Sequence, residues 1–122
     1  MQFAARTLLP RLSPRRVFSR LALHPTCSST RSGGNDALHA LAAAIAEDVF
    51  VPPSWGCCAF AGDRGLLHPE LTASATAAQA AEIRAYAADA HASCNRTCEL
   101  GMSRATGATY RHILALLEEA TR

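Results

Sequence analysis

The chain has 122 residues, 49% of them hydrophobic, which is the size of one domain and enough to bury a core without covalent staples. Its net charge is +2, every basic residue is arginine, and no basic run is interleaved with aromatics, so composition carries no nucleic-acid footprint. No apolar stretch approaches the roughly 18 residues of a membrane span, and five cysteines, an odd number with two adjacent, argue for reduced thiols in the cytoplasm rather than a disulfide framework.

Residues 1 to 20 carry five arginines and no acid, the composition of an organelle transit peptide. The alternative is a short helix with Phe3, Leu8, Leu9 and Leu12 on one side, bent at Pro10 and closed by Pro14. Arg20 to His24 reads as a short buried strand that Pro25-Thr26-Cys27 leaves as a turn. After a Ser/Thr/Gly-rich loop, Asn35 is placed to cap a helix with Leu38, Leu41, Ala42 and Ile45 on one face. Val49 to Val51 forms a second strand, ended by Pro52-Pro53. Gly62-Asp63-Arg64-Gly65 is a turn. Pro69 and Glu70 open an alanine-rich helix that runs to about Ala88, with a break expected near Thr76. Ala90 to Ser93 is a candidate third strand, the segment from Cys94 to Cys98 leads into a helical turn, and Gly107 precedes a last helix in which Tyr110, Ile113, Leu114 and Leu117 repeat at helical spacing.

This order predicts an α/β fold, a small Rossmann-like layer of short parallel strands with flanking helices and right-handed crossovers. In such sheets the functional crevice lies outside the carboxyl ends of the strands, and all three cysteine groups fall there. At the centre stand Cys57 and Cys58, in Gly56-Cys57-Cys58-Ala59-Phe60-Ala61-Gly62. Neighbouring residues of a regular strand point to opposite faces, so both thiols reach one centre only if the backbone turns sharply, for which Gly56 and Gly62 are the candidates. The bland alternative is two small buried hydrophobes. Soft thiolates at several loop ends suit zinc or iron–sulfur ligation. Zinc sites commonly show two Cys-x(2–4)-Cys knuckles, whereas this chain has one such pair, Cys94 and Cys98, beside an adjacent pair and a lone cysteine. Cys27, Cys57, Cys58 and Cys98 supply the four thiolates that cluster iron commonly takes. A dithiol redox enzyme using Cys57 and Cys58 is disfavoured, because such pairs usually have two intervening residues.

The cysteine order is similar to that of the cysteine-rich CCG domain found in heterodisulfide reductase and in the iron–sulfur component of glycolate oxidase. His24-Pro25-Thr26-Cys27-Ser28, Gly56 to Gly65 with His68-Pro69-Glu70-Leu71, Asn95-Arg96-Thr97-Cys98-Glu99 and Tyr110-Arg111-His112-Ile113 resemble more closely the C-terminal end of bacterial FAD-linked D-lactate dehydrogenases that carry iron–sulfur modules. The resemblance spans nearly the whole chain, including Leu8-Leu9-Pro10-Arg11-Leu12, which it assigns to the domain and not to a transit peptide. It implies a single CCG-type domain over residues 1–122, a C-terminal piece of a larger oxidoreductase, a mispredicted start or a separate subunit. It further implies a 4Fe–4S cluster passing electrons from a flavin toward a quinone-like acceptor, and FAD-binding and ferredoxin-like domains or subunits as partners. Any association with the inner face of the membrane would come through the full enzyme.

The chain itself has no Gly-rich dinucleotide loop and no assignable base for hydroxy-acid oxidation, so FAD and catalysis belong to a missing domain or partner. Two positions depart from the pattern. Ala59 stands where the family often has glycine, a mild change only at negative φ. Asn95 stands where a cysteine is common, which makes Cys94 a conditional ligand beside Cys98. The match of Asn95-Arg96-Thr97 to a glycosylation acceptor means nothing in a reducing compartment. His24 and His68 stand near cysteines as ligand candidates, each with a structural turn role as the stronger alternative. Arg64 and Arg96 are candidate contacts for an anionic partner, set against simple solvated arginines, and His112 is expected on the surface. A zinc-stabilised structural domain is the alternative function.

Overall fold

The computed structural model describes all 122 residues. Four strands, β1 (Phe18–His24), β2 (Ala46–Phe50), β3 (Ala90–Ser93) and β4 (Arg111–His112), form one sheet in the order β2-β1-β3-β4. All three pairings are parallel, with Leu21 opposite Val49 and Ala90, and Ser93 opposite His112. Parallel neighbours cannot be joined by hairpins, so each connection carries helix. The crossovers hold α1 (Cys27–Arg31) and α2 (Asn35–Ala43), then α3 (Arg64–Leu67) and α4 (Pro69–Tyr86), then α5 (Arg96–Thr106), and α6 (Ile113–Thr121) closes the chain.

The predicted α/β layer is therefore present, with β1 and β2 starting earlier than expected and with a fourth strand. β4 is two residues long, too short to show a period, and exists because β3 offers it a free edge.

Alternation along β1 divides the interior. Leu21 and Leu23 face one side, where they pack with Leu38, Leu41 and Ile45 of the α2 region and Ile113, Leu116 and Leu117 of α6. Ala22 faces the other side, packed with Cys58, Phe60, Ile83, Cys98, Met102 and Tyr110. By the same two-residue period His24 follows Ala22 onto that second face.

Several local expectations are corrected. The Ser/Thr-rich stretch after β1 is helical: Thr26 accepts from the Ser29 amide while Ser29 Oγ accepts from the Thr26 amide, a reciprocal cap that starts α1 at Cys27. Gly34, not Asn35, is the cap of α2; the Asn35 side chain instead accepts from Ser29 Oγ and donates to Thr30 Oγ1. The turn expected at residues 62–65 continues into α3. α4 runs unbroken past Thr76, whose buried hydroxyl donates to the Thr72 carbonyl at 2.7 Å and needs no break in the helix.

Tyr110 precedes α6 instead of joining it, and packs on the opposite face from Ile113. His112 is half-buried and accepts the Leu114 amide through Nδ1, so it caps α6 and is no idle surface residue. At the other end, Ala4–Leu8 and Leu9–Arg11 form π and 3₁₀ turns whose packed side is Met1, Ala4, Ala5 and Leu9, while Phe3, Leu8 and Leu12 face outward.

Candidate metal centre

Three chain segments that leave the carboxyl edge of the sheet meet over it. Cys27 is the first residue of α1 after β1, Cys57 and Cys58 sit on the long loop after β2, and Cys98 lies in the first turn of α5 after β3. Together they line a cavity of about 270 Å³ whose rim includes Ser28 and Asn95. Asn95 is used structurally: extended at φ −150°, it accepts the Thr97 amide through Oδ1 and caps α5.

The loop bearing the paired cysteines is tied to four elements. Trp55 Nε1–H donates to the Pro25 carbonyl at 2.8 Å beyond β1. The Gln79 amide of α4 donates to the Gly56 carbonyl at 3.3 Å, and the Ser54 amide and hydroxyl both donate to Glu82 of the same helix. Phe60 is 1% exposed and wedged between α3 and α5. A Cβ on Gly65 would lie 2.5 Å from its ring, so the approach of the ring requires glycine there, and one on Gly101 would make a tight 3.2 Å contact.

Directly after the paired cysteines the chain turns sharply through Ala59 at φ 55°, Ala61 at φ 45° and Gly62 at φ 70°. Gly56, a predicted turn residue, has no positive φ and open space where its Cβ would be. Ala59 is therefore in the left-handed region, where an alanine carries strain of about 1 kcal/mol or more. Such outliers persist only where the surroundings over-determine them, as the four tethers do here.

The cavity has a buried pole and an exposed one. Cys58 and Cys98 are buried with their sulfurs 3.2 Å apart. One imidazole nitrogen of His24 completes a group whose ligand atoms all lie within 4.8 Å of one another. Cys58 and Cys98 share a sulfur–sulfur hydrogen bond, and this bond, helped by the Phe60 backbone, outweighs burial and holds Cys58 down to about 4. The same bond, with burial and the Cys58 charge, pushes Cys98 up. The pair thus holds one sulfur more acidic than an ordinary thiol against one that keeps its proton, and metal ligation requires that proton to leave.

Cys27 and Cys57 form the exposed pole. Their mutual hydrogen bond, then burial, then the neighbouring thiolate charges raise Cys27, and the Ala59 amide donates to Cys57 Sγ at 3.3 Å.

Cys94 lies elsewhere. It leaves β3 before the helix begins, lines a separate cavity with Met1, Gln2 and Gly34, and has its sulfur 3.6 Å from Thr26 Oγ1. Cys94, the conditional ligand beside Cys98, is not brought to the same cavity, because the extended Asn95 turns the chain between them. His68 is exposed and pairs with Glu70 at 3.2 Å, away from the cavity lining. Arg96 pairs with the buried Glu99 at 3.1 Å, and Arg64 is solvent-exposed.

His24 is the residue that sequence reasoning undervalued. It is 1% exposed, and neither ring nitrogen has a hydrogen-bond partner, an omission that costs about 1–3 kcal/mol per buried group. The signal that finds it is its two-residue offset from Ala22 at the end of β1, which places it on the cysteine face.

Cys27, Cys57, Cys58, Cys98 and His24 offer soft sulfur and one nitrogen to a common space, a donor set that can bind a metal. No helix is long and apolar enough to cross a membrane. In comparisons with known proteins, no family model, no curated protein and no solved structure matches the chain.

Proposed function

We propose that the chain is an iron–sulfur electron-transfer module, the CCG-type domain of an FAD-linked D-lactate or related 2-hydroxy-acid dehydrogenase. The observation that carries this reading is the single cavity lined by Cys27, Cys57, Cys58 and Cys98, brought together from three separate crossovers. Four thiolates are the common complement for cluster iron. A cluster held there would supply one-electron transfer between a flavin on another domain or subunit and a quinone-like acceptor.

The chain's own contribution is to hold and shield. Cys58 and Cys98 bind from the buried side, and the Phe60 wedge closes the loop over them. Cys27 and Cys57 bind from the side that faces solvent or a partner domain. The Ala59 amide at Cys57 Sγ is the kind of sulfur hydrogen bond that raises a cluster's potential.

A zinc-stabilised interaction domain is the second reading, favoured by one distance. Two thiolates on a single tetrahedral ion with metal–sulfur bonds of about 2.3 Å stand about 3.8 Å apart, close to the 3.2 Å of Cys58 and Cys98. Anaerobic purification followed by iron, sulfide and zinc analysis with a visible spectrum decides between the two. Brown protein with iron and sulfide is expected; colourless protein with stoichiometric zinc establishes the second reading, and a metal-free dithiol overturns both.

A further inference from the structure

We propose that His24 is a metal ligand, and that one ion of the centre is held at the buried pole by an imidazole nitrogen of His24 together with the thiolates of Cys58 and Cys98. This deepens the metal-binding reading above and rests on it.

Three independent observations carry the assignment. The first is placement. The backbone of His24 is pinned at the end of β1 by parallel pairing with Ser93, whose hydroxyl donates to the His24 carbonyl at 2.9 Å, so the side chain is fixed on the cysteine face. The second is the lack of any other partner. Both ring nitrogens are sealed from solvent and unpaired, although buried polar groups are nearly always satisfied. The third is distance. The nitrogen and the two sulfurs lie within 4.8 Å of one another, with the sulfurs 3.2 Å apart, so modest side-chain adjustment brings them to the roughly 3.5–3.8 Å spacing of atoms that share one tetrahedral ion.

Trp55 lies beside the imidazole, with ring centroids 6.5 Å apart. A mixed nitrogen and sulfur set accepts zinc, cobalt or iron, and excludes the hard cations that need oxygen ligands. Cys27 and Cys57 line the same cavity as Cys58 and Cys98 and lie outside the three-residue group.

The test uses the full chain, prepared anaerobically, with Co(II) as the probe and iron plus sulfide reconstitution in parallel. Wild-type protein should bind Co(II) with thiolate charge-transfer absorption, and its proton NMR spectrum should show hyperfine-shifted imidazole signals from one of the five histidines. His24→Ala should lose those signals and bind Co(II) at least tenfold more weakly. His24→Cys should recover most of the affinity, with stronger charge transfer and no shifted imidazole.

A wild-type cobalt complex without a shifted histidine overturns the assignment even if the alanine variant fails to fold, as does His24→Ala with unchanged affinity and spectrum or wild-type protein that takes up no cobalt. Iron and sulfide incorporation without histidine ligation leaves the electron-transfer reading standing and removes only this inference. Cobalt bound through His24 in a chain that refuses iron and sulfide does the reverse.

Discussion

On the α2 and α6 face of the sheet the buried interior is leucine, isoleucine and alanine throughout. On the face toward α4 and α5, two of the seven clustered residues are cysteines, and the buried side-chain atoms without hydrogen-bond partners belong to His24, Thr72, Gln79 and Tyr110 around them. The same side carries the left-handed Ala59 and Ala61. One face is stable by burial; the other holds polar and strained groups, of which His24 is the one whose cost a bound metal would offset. A metal bound at this site would add to the stability of the whole folded chain while leaving the aliphatic contacts of the other face unchanged.

The sharpest way to break this contrast is a pair of substitutions. Leu41→Ala, at a fully buried position of the aliphatic face, should cost about 2–5 kcal/mol in denaturant melts, equally with and without a chelator. Cys98→Ser should abolish metal binding and lower the melting temperature to that of chelated wild type, while Cys94→Ser, outside the cavity, should keep most of its metal. Equal metal loss in the two serine variants, measured as metal-to-protein ratio, would make Cys94 a full ligand.

A smaller effect tests the wedge. Gly65→Ala must displace the Phe60 ring and should destabilise by about 1–3 kcal/mol, with weaker metal retention, because the ring anchors the loop next to Cys58. Unchanged melting would show that the loop tolerates repacking and that its order does not depend on this contact.

Asp89 provides a control far from the site. Its carboxylate accepts the Ser19 and Arg20 amides at 3.0 and 2.9 Å; burial pushes its pKa up, but those bonds outweigh burial and hold it below the usual range. A group with a depressed folded pKa contributes stability above its unfolded value, about 3.9, and loses it as pH falls through the folded one. Asp89→Asn should cost about 1 kcal/mol at neutral pH and converge on wild type in acid, independent of metal. The smallest effect comes from Ala59→Gly and Ala87→Gly, each relieving a left-handed alanine for about 0.5–1 kcal/mol. The gain at Ala87, the cap of α4, should not depend on metal, whereas that at Ala59 should change with it.

Much of this arrangement is legible in the sequence. Short apolar runs followed by turn residues locate three strands, and the strand-end rule alone brings Cys27, Cys57, Cys58 and Cys98 to one edge. What stays hidden depends on pairing partners and on backbone conformation. β4 is defined by its neighbour, and the turn at Ala59 and Ala61 is illegible because alanine does not advertise positive φ. The cap of α1 is present as Thr26 and Ser29 three residues apart, but a Ser/Thr-rich stretch reads equally well as loop. His24 is visible as a residue; its isolation from every hydrogen-bond partner is not.

The chain's single tryptophan, Trp55, is fastened to Pro25 at one edge of its ring and lies beside His24. It is therefore a built-in optical reporter on the buried pole of the site. A coloured or paramagnetic centre within reach of that indole should quench its emission, and a colourless ion should leave the intensity largely intact while shifting the wavelength. Fluorescence of the unlabelled protein thus distinguishes the kinds of occupant before any metal is assayed.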